Sequence, residues 1–166
     1  DILSHSFHGS ACGILDDDGH VRPTVRDAVE RGVILDVGHG AGSFSWDVVE
    51  TAMAEDVLPQ TISSDLHIYN VDGPVYDLAN VMTKFLHLGV SLDDVIAKVT
   101  SVPAASVLKQ DRIGTLAPGA WGDAVVFELQ QGQYSLEDAG GVMRTGSQNV
   151  EPVTVVRAGR VYRQSP

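Results

Sequence analysis

Val33-Ile34-Leu35-Asp36-Val37-Gly38-His39-Gly40-Ala41-Gly42-Ser43 is an apolar run that stops in a polar, glycine-rich turn. Its β-branched residues favour extended backbone, and an apolar run of this length suits a strand covered on both faces. Such strands belong to parallel α/β sheets, where functional residues follow the carboxyl end of each strand. Gly38 and Gly40 bracket His39, so the backbone can approach a ligand closely there. No Lys-Ser/Thr pair follows the glycines, which excludes a phosphate loop.

Outward from this stretch, the same alternation recurs. Asp1 to Phe7 reads as a short strand carrying His5 near its end. Ser10 to Pro23 is rich in Gly and Asp and reads as a loop. Val25, Ala28 and Val29 give Thr24 to Arg31 helical spacing, with Gly32 as C-cap. Downstream, Trp46 to Ala54 is helical, and Gln60 to Ser64 is a third short strand ending at Asp65. Strand, loop, helix, strand predicts a parallel sheet with crossover helices. Leu78 to Leu88 is an amphipathic helix closing at Gly89. Ser91 and Asp94 have capping-box spacing for a helix whose apolar face is Leu92, Val95, Ile96 and Val99. Pro103 suits the first turn of another short helix.

From Arg112 the character changes. Ile113 to Leu129 holds two glycine turns and the β-prone run Ala124-Val125-Val126-Phe127. Gly132 to Asn149 reads as loop, and Val153 to Tyr162 as a hairpin around Ala158-Gly159-Arg160. A boundary near residue 111 divides an α/β part, residues 1–111, from a small β part, residues 112–166.

Composition narrows the function classes. The 166 residues carry 22 acidic and 11 basic side chains, a formal net charge of -11. No basic stripe is present, so a nucleic-acid partner is not expected. No apolar stretch approaches the ~18 residues of a membrane span, so no membrane partner is expected either. A single cysteine, Cys12, and the lack of a signal-peptide pattern predict a reducing, cytoplasmic location. The start, Asp1-Ile2-Leu3-Ser4-His5, reads like the middle of a strand and predicts that the chain begins inside a domain.

His5, His39 and Asp65 stand out as candidate site residues. They follow three strands at spacings of 34 and 26 residues, near the ~31 residues of one unit in an eightfold barrel. Two neutral imidazoles and a carboxylate at one rim suit zinc or a similar divalent ion. Each has a plainer reading: a lone strand-end histidine is more often a hydrogen-bonded structural residue, and Asp65 could be a helix N-cap. His67, two residues past Asp65, is a candidate substrate contact. His8 and His20 lie in loops, His87 is on a helix, and Cys12 has no activating neighbour. Ser63 and Ser64 lack the strand-turn-helix elbow of a serine hydrolase.

Asp36 to Phe44 resembles the sixth-strand metal-ligand segment of the amidohydrolase superfamily, in its deacetylase and dihydroorotase-like branch. Thr61 to His67 resembles the eighth-strand segment that supplies a catalytic Asp, and Ile2 to Gly9 the fifth-strand segment with its His ligand. Gly73 to Leu78 and Ile113 to Ala124 also match, the latter as the return to a small β-sandwich. The resemblance implies the C-terminal part of a (β/α)8 TIM-like barrel plus part of that β-sandwich. It implies two divalent metal ions, zinc foremost, and a carboxylated Lys. His5 and His39 would hold one metal; Asp65 would bind the other and act as catalytic proton shuttle for a metal-activated hydroxide. The implied reaction cleaves an amide or ester of a small molecule: an N-acyl amino acid, an acetylated hydroxy acid or a cyclic amide. A homo-oligomer is also implied.

The chain departs from the family in two ways. The His-x-His pair and the bridging Lys are absent; Lys84, Lys98 and Lys109 follow Asp65 in helical segments and none fits that role. The chain is thus expected to require the N-terminal half of the barrel and to be inactive alone. Also, the 26 residues from His39 to Asp65 are too few for two units of ~31; either the seventh strand is degenerate or the strand count is off by one. The alternative in another class is a catalytically inactive amidohydrolase-like scaffold or assembly protein, which retention of all three candidate ligands argues against. A third is a binding domain with chance histidines.

Overall fold

The computed structural model describes residues 1–163. Its elements are β1 (Ile2–Leu3), α1 (Pro23–Glu30), β2 (Ile34–Leu35), α2 (Trp46–Ala54), α3 (Leu78–His87), α4 (Leu92–Val99), α5 (Ser101–Ser106), β3 (Ala124–Glu137), β4 (Met143–Arg157) and β5 (Arg160–Arg163).

β1 and β2 pair in parallel, Ile2 against Ile34 and Leu3 against Leu35. The pairing extends past the regular ladder through Asp36 N–H to Leu3 O (2.9 Å) and Ser6 N–H to Asp36 O (3.2 Å). On its other side β2 meets the segment at Thr61, through a parallel bridge from Asp36. Val37, His39 and Gly40 N–H groups donate to the carbonyls of Thr61, Ser63 and Ser64. The three segments are therefore immediate neighbours, with no strand between the second and third. The ladders are shorter than the sequence predicts because His5, Gly38, Gly40 and Asp65 all turn to positive φ at the carboxyl ends. The described residues close no barrel.

The helices start where local chemistry favours them. Pro23 opens α1, where its missing N–H costs nothing. Asp77 caps α3 by accepting from Asn80 N–H (2.7 Å). Ser91 caps α4 by accepting from Asp94 N–H (3.1 Å) and returns its hydroxyl to the Asp94 carboxylate (2.6 Å), a variant of the expected capping box. α2 and α3 bury Trp46, Val49, Val81 and Phe85 against Phe7, Val37 and Phe44.

β3, β4 and β5 form an antiparallel three-stranded sheet. The expectation of a loop from Gly132 to Asn149 is corrected. Most of that segment is strand, with the tip between Glu137 and Met143 and the bulge at Gly132, Gln133 and Ser147 outside the ladder. Its polarity misleads because much of the long hairpin faces water, and its pattern slips at bulges between Val126/Phe127 and Gln131/Tyr134. The β4–β5 turn lies at Ala158 and Gly159, both at positive φ, as a tight two-residue hairpin requires.

The hairpin is tied to the α/β part at several points. Asp138, 3% exposed, accepts from Trp46 N–H (3.1 Å), and Trp46 Nε1 donates to Val142 O (3.0 Å). Val150 N–H donates to Thr83 Oγ1 on α3 (3.0 Å). Leu136 and Val150 join the same core.

Candidate functional site

The adjacent strand ends are stitched together by Asp36. Its carboxylate accepts from the hydroxyls of Ser4, Thr61 and Ser63, each at 2.6 Å. Ser63 Oγ in turn accepts from Gly38 N–H (3.0 Å). A buried carboxylate is tolerated only when so satisfied. Sequence reasoning passed over Asp36; the available signal was one acid inside an apolar strand, facing the hydroxyl-rich Thr61 to Ser64.

His5 and Asp65 are both exposed and both hold a left-handed backbone, φ 58° and 46°. Non-glycine residues in this region carry strain on the order of 1–2 kcal/mol, and such outliers gather at functional positions. The Gly38 carbonyl lies 2.6 Å from His5 Nδ1. A carbonyl only accepts, so Nδ1 carries a hydrogen, and in the neutral tautomer the lone pair lies on Nε2. Asp65 is held by its backbone: Asn70, fully buried, donates through Nδ2 to Asp65 O (2.9 Å) and accepts from His67 N–H (2.8 Å).

The turn between these two residues admits no side chain on its glycines. A β-carbon on Gly38 would lie 2.5 Å from Ser4 Oγ and 2.7 Å from His5 Nδ1; one on Gly40 would lie 2.7 Å from Asp65 Oδ2. His5 and Asp65 thus pack against opposite ends of one three-residue turn.

His39 sits behind that turn. Its ring is fully buried and stacks on Phe44, centroids 4.7 Å apart. Nδ1 lies 2.9 Å from Gly40 O, and Nε2 lies 2.7 Å from Lys84 Nζ. An ammonium only donates, so Nε2 accepts and Nδ1 carries the hydrogen. Burial, reinforced by the Lys84 charge, holds the imidazole pKa down to about 4, so the ring is neutral. Lys84 is also fully buried and donates to Pro74 O (2.8 Å); burial holds its amine down to about 8. His39, expected as a metal ligand, has both ring nitrogens engaged inside the protein. Lys84 was missed as a partner, although Val81, Lys84 and Phe85 share the spacing of one buried helix face.

The remaining histidines make local contacts in this structure. His67 is exposed; its Nδ1 accepts from Tyr69 N–H (3.2 Å) on the loop that Asn70 closes. His87 lies edge-on to Trp46, His20 contacts Glu55 (2.8 Å), and His8 accepts from Ser10 N–H. Among the described residues, no group of three or more His, Cys, Asp or Glu side chains is gathered closely enough to hold a metal ion. No described helix is long and apolar enough to cross a membrane.

No family model matches the chain. A deacetylase of Enterococcus faecalis is 35% identical over 164 residues, spanning 98% of this chain and 44% of that protein. Among solved structures, an adenine deaminase superposes with a TM-score of 0.94 at 35% identity, over 99% of this chain and 45% of that one. A dihydroorotase superposes with a TM-score of 0.84 at 33% identity, over 99% and 44%. The chain thus spans under half the length of the proteins it matches. On the strength of these likenesses along nearly its whole length, the chain belongs to the amidohydrolase superfamily.

Proposed function

We propose that this chain supplies the last strand ends of a metal-dependent hydrolase barrel, with His5 and Asp65 as metal ligands and Asp65 as the proton shuttle. The observation that carries this reading is their shared placement: two exposed donor side chains, both on left-handed backbone, flanking the Gly38–Gly40 turn. The resemblance puts Asp65 on the eighth strand. Direct pairing of the three segments supports taking His39's strand as the seventh and His5's as the sixth. On that numbering only one unit separates His39 from Asp65, which fits the short 26-residue spacing. The boundary near residue 111, with a β-sandwich segment after it, completes the proposed architecture.

The donor set fits a divalent ion. His5 offers a free Nε2 and Asp65 a carboxylate, a nitrogen–oxygen mixture suited to zinc. Two such ions and a carboxylated Lys belong to the same proposal, the further ligands coming from residues outside this chain. A bound divalent ion lowers the pKa of water toward ~7 and polarises a carbonyl. Within this chain, the Gly38 carbonyl selects the His5 tautomer with its hydrogen on Nδ1, which leaves Nε2 as the ligating nitrogen. The Asp65 carboxylate takes a proton from the attacking water and returns it to the leaving amine or alcohol. His67, on the loop leaving Asp65, is placed to meet a small acylated substrate such as an N-acyl amino acid, an acetylated hydroxy acid or a cyclic amide.

The test is Asp65→Asn in the intact protein that carries this chain. Hydrolysis of acylated amino acids should fall ~10²–10⁴-fold, the usual contribution of a general acid–base group, while most of the metal is retained. Near-normal turnover would end the role given to Asp65.

A further inference from the structure

We infer that Lys84 and His39 are a positioning pair for the rim: Lys84 fixes His39, His39 fixes the Gly38–Gly40 turn, and that turn aims His5 and seats Asp65. This rests on the proposed reading of His5 and Asp65 as metal ligands, and it assigns the buried pair a role that reading leaves open.

The chain of contacts is continuous. Lys84 Nζ donates to His39 Nε2 at 2.7 Å and to Pro74 O at 2.8 Å, tying α3 to the turn and to the segment before it. His39 Nδ1 donates to Gly40 O at 2.9 Å, closing the turn on itself. At one end the Gly38 carbonyl receives His5 Nδ1 at 2.6 Å. At the other, Gly40 presents a bare α-carbon to Asp65 Oδ2, where a β-carbon would lie 2.7 Å away. The Phe44 ring, stacked on His39 and 5.7 Å from Lys84 Nζ, leaves the imidazole one orientation.

Burying an ammonium without an ion-pair partner is costly: both hydrogen-bond partners of Lys84 are neutral, and the Asp138 and Glu137 carboxylates offset the cost of burial only in part. A Met or Leu would fill the space without that cost. The ammonium does what neither could: it donates to Nε2 and so excludes the tautomer that would leave Nδ1 with no hydrogen to give to Gly40 O. Groups one shell behind a metal ligand fix ring orientation in this way, and their loss typically lowers metal affinity ~10–100-fold.

The experiment uses the intact protein, stripped of metal and labelled with ¹⁵N in histidine, titrated with Zn²⁺. The His39 nitrogens should report a neutral Nδ1–H ring throughout, while the His5 Nε2 signal moves on zinc addition. In Lys84→Met, zinc should pass to a competing chelator ~10–100-fold more readily, with the circular dichroism spectrum unchanged. Zinc bound at His39 Nε2, or unchanged zinc affinity in folded Lys84→Met, would overturn the positioning role and leave the metal site standing. No response from His5 would overturn the metal reading, and this inference with it. If Lys84→Met does not fold, the wild-type titration still decides.

Discussion

The Asp36 carboxylate receives the Thr61 hydroxyl at 2.6 Å, joining strands whose residues are 25 apart in sequence. The same carboxylate receives Ser4 from the strand on its other side. One acid thus spans three parallel segments just below the rim that carries His5 and Asp65. It also shows why the three ends stand at one level: a single short side chain cannot reach both neighbours unless they are in register.

Asp36→Ala should cost about 3–5 kcal/mol, since three hydroxyl-to-carboxylate bonds are lost and each is worth ~1.5–3 kcal/mol less what water recovers. Asp36→Asn keeps the shape but turns two acceptor sites into donors facing hydroxyls, and should cost less. Denaturant unfolding of the intact protein checks both. An Ala variant within 1 kcal/mol of the parent would mean that the stitch is not structural.

Gly40→Ala should damage function more than stability. The added methyl meets Asp65 Oδ2, and the site holds φ 51°. Strain of ~1–2 kcal/mol is expected from the backbone. A shift of the carboxylate by about 1 Å can cost ~10²-fold in rate. Gly42→Ala is the control, because open space surrounds that position. Equal activities of the two variants would remove Gly40 from the site's geometry.

How much of this was legible beforehand differs by element. α2 was read to its true ends, because Trp46, Val49 and Ala52 carry a helical period into the core. His5 and Asp65 were legible as strand-end polar residues. His39 was equally legible, yet its burial was not. Whether an imidazole faces the rim or the core depends on Lys84, 45 residues downstream, and spacing along a strand carries no trace of that contact. The middle of the β3–β4 hairpin failed for a different reason. A half-exposed strand broken by bulges has neither the apolar run nor the clean alternation that marks one.

The His39 imidazole should make the protein acid-labile over a defined window. Its folded pKa is about 4 against an ordinary 6.5, set first by burial and then by Lys84, with the Gly40 hydrogen bond and Asp138 opposing. The unfolded chain therefore binds a proton that the folded chain refuses. Stability is fully present above pH 6.5 and declines as pH falls toward 4. The loss reaches about 3–4 kcal/mol, from a gap of roughly 2.5 pH units at ~1.4 kcal/mol each. His39→Gln should flatten that part of the curve relative to the parent. Parallel curves between pH 6.5 and 4 would show that His39 is protonated in the folded state.

The β hairpin should detach locally when Thr83 loses its hydroxyl. Thr83 Oγ1 donates to Ala79 O (2.9 Å) and accepts from Val150 N–H (3.0 Å), a backbone-to-side-chain bond that joins β4 to α3. Thr83→Val keeps the volume and leaves that buried N–H without a partner, at a cost of ~1–3 kcal/mol. The penalty should appear as faster hydrogen exchange at Val150 and its β4 neighbours. Exchange at Val37 and His39 should stay slow, because their N–H groups donate to Thr61 and Ser63 within the parallel strands. Asp138→Ala cuts a different tie, the bond to Trp46 N–H at the start of α2. Trp46 packs edge-on to Phe44, centroids 5.0 Å apart, and Phe44 stacks on His39. Loosening by Asp138→Ala should therefore reach His39, whereas loosening by Thr83→Val should stop at α3. Exchange that rises equally in both regions for both variants would show that the hairpin and the strand ends open as one cooperative unit.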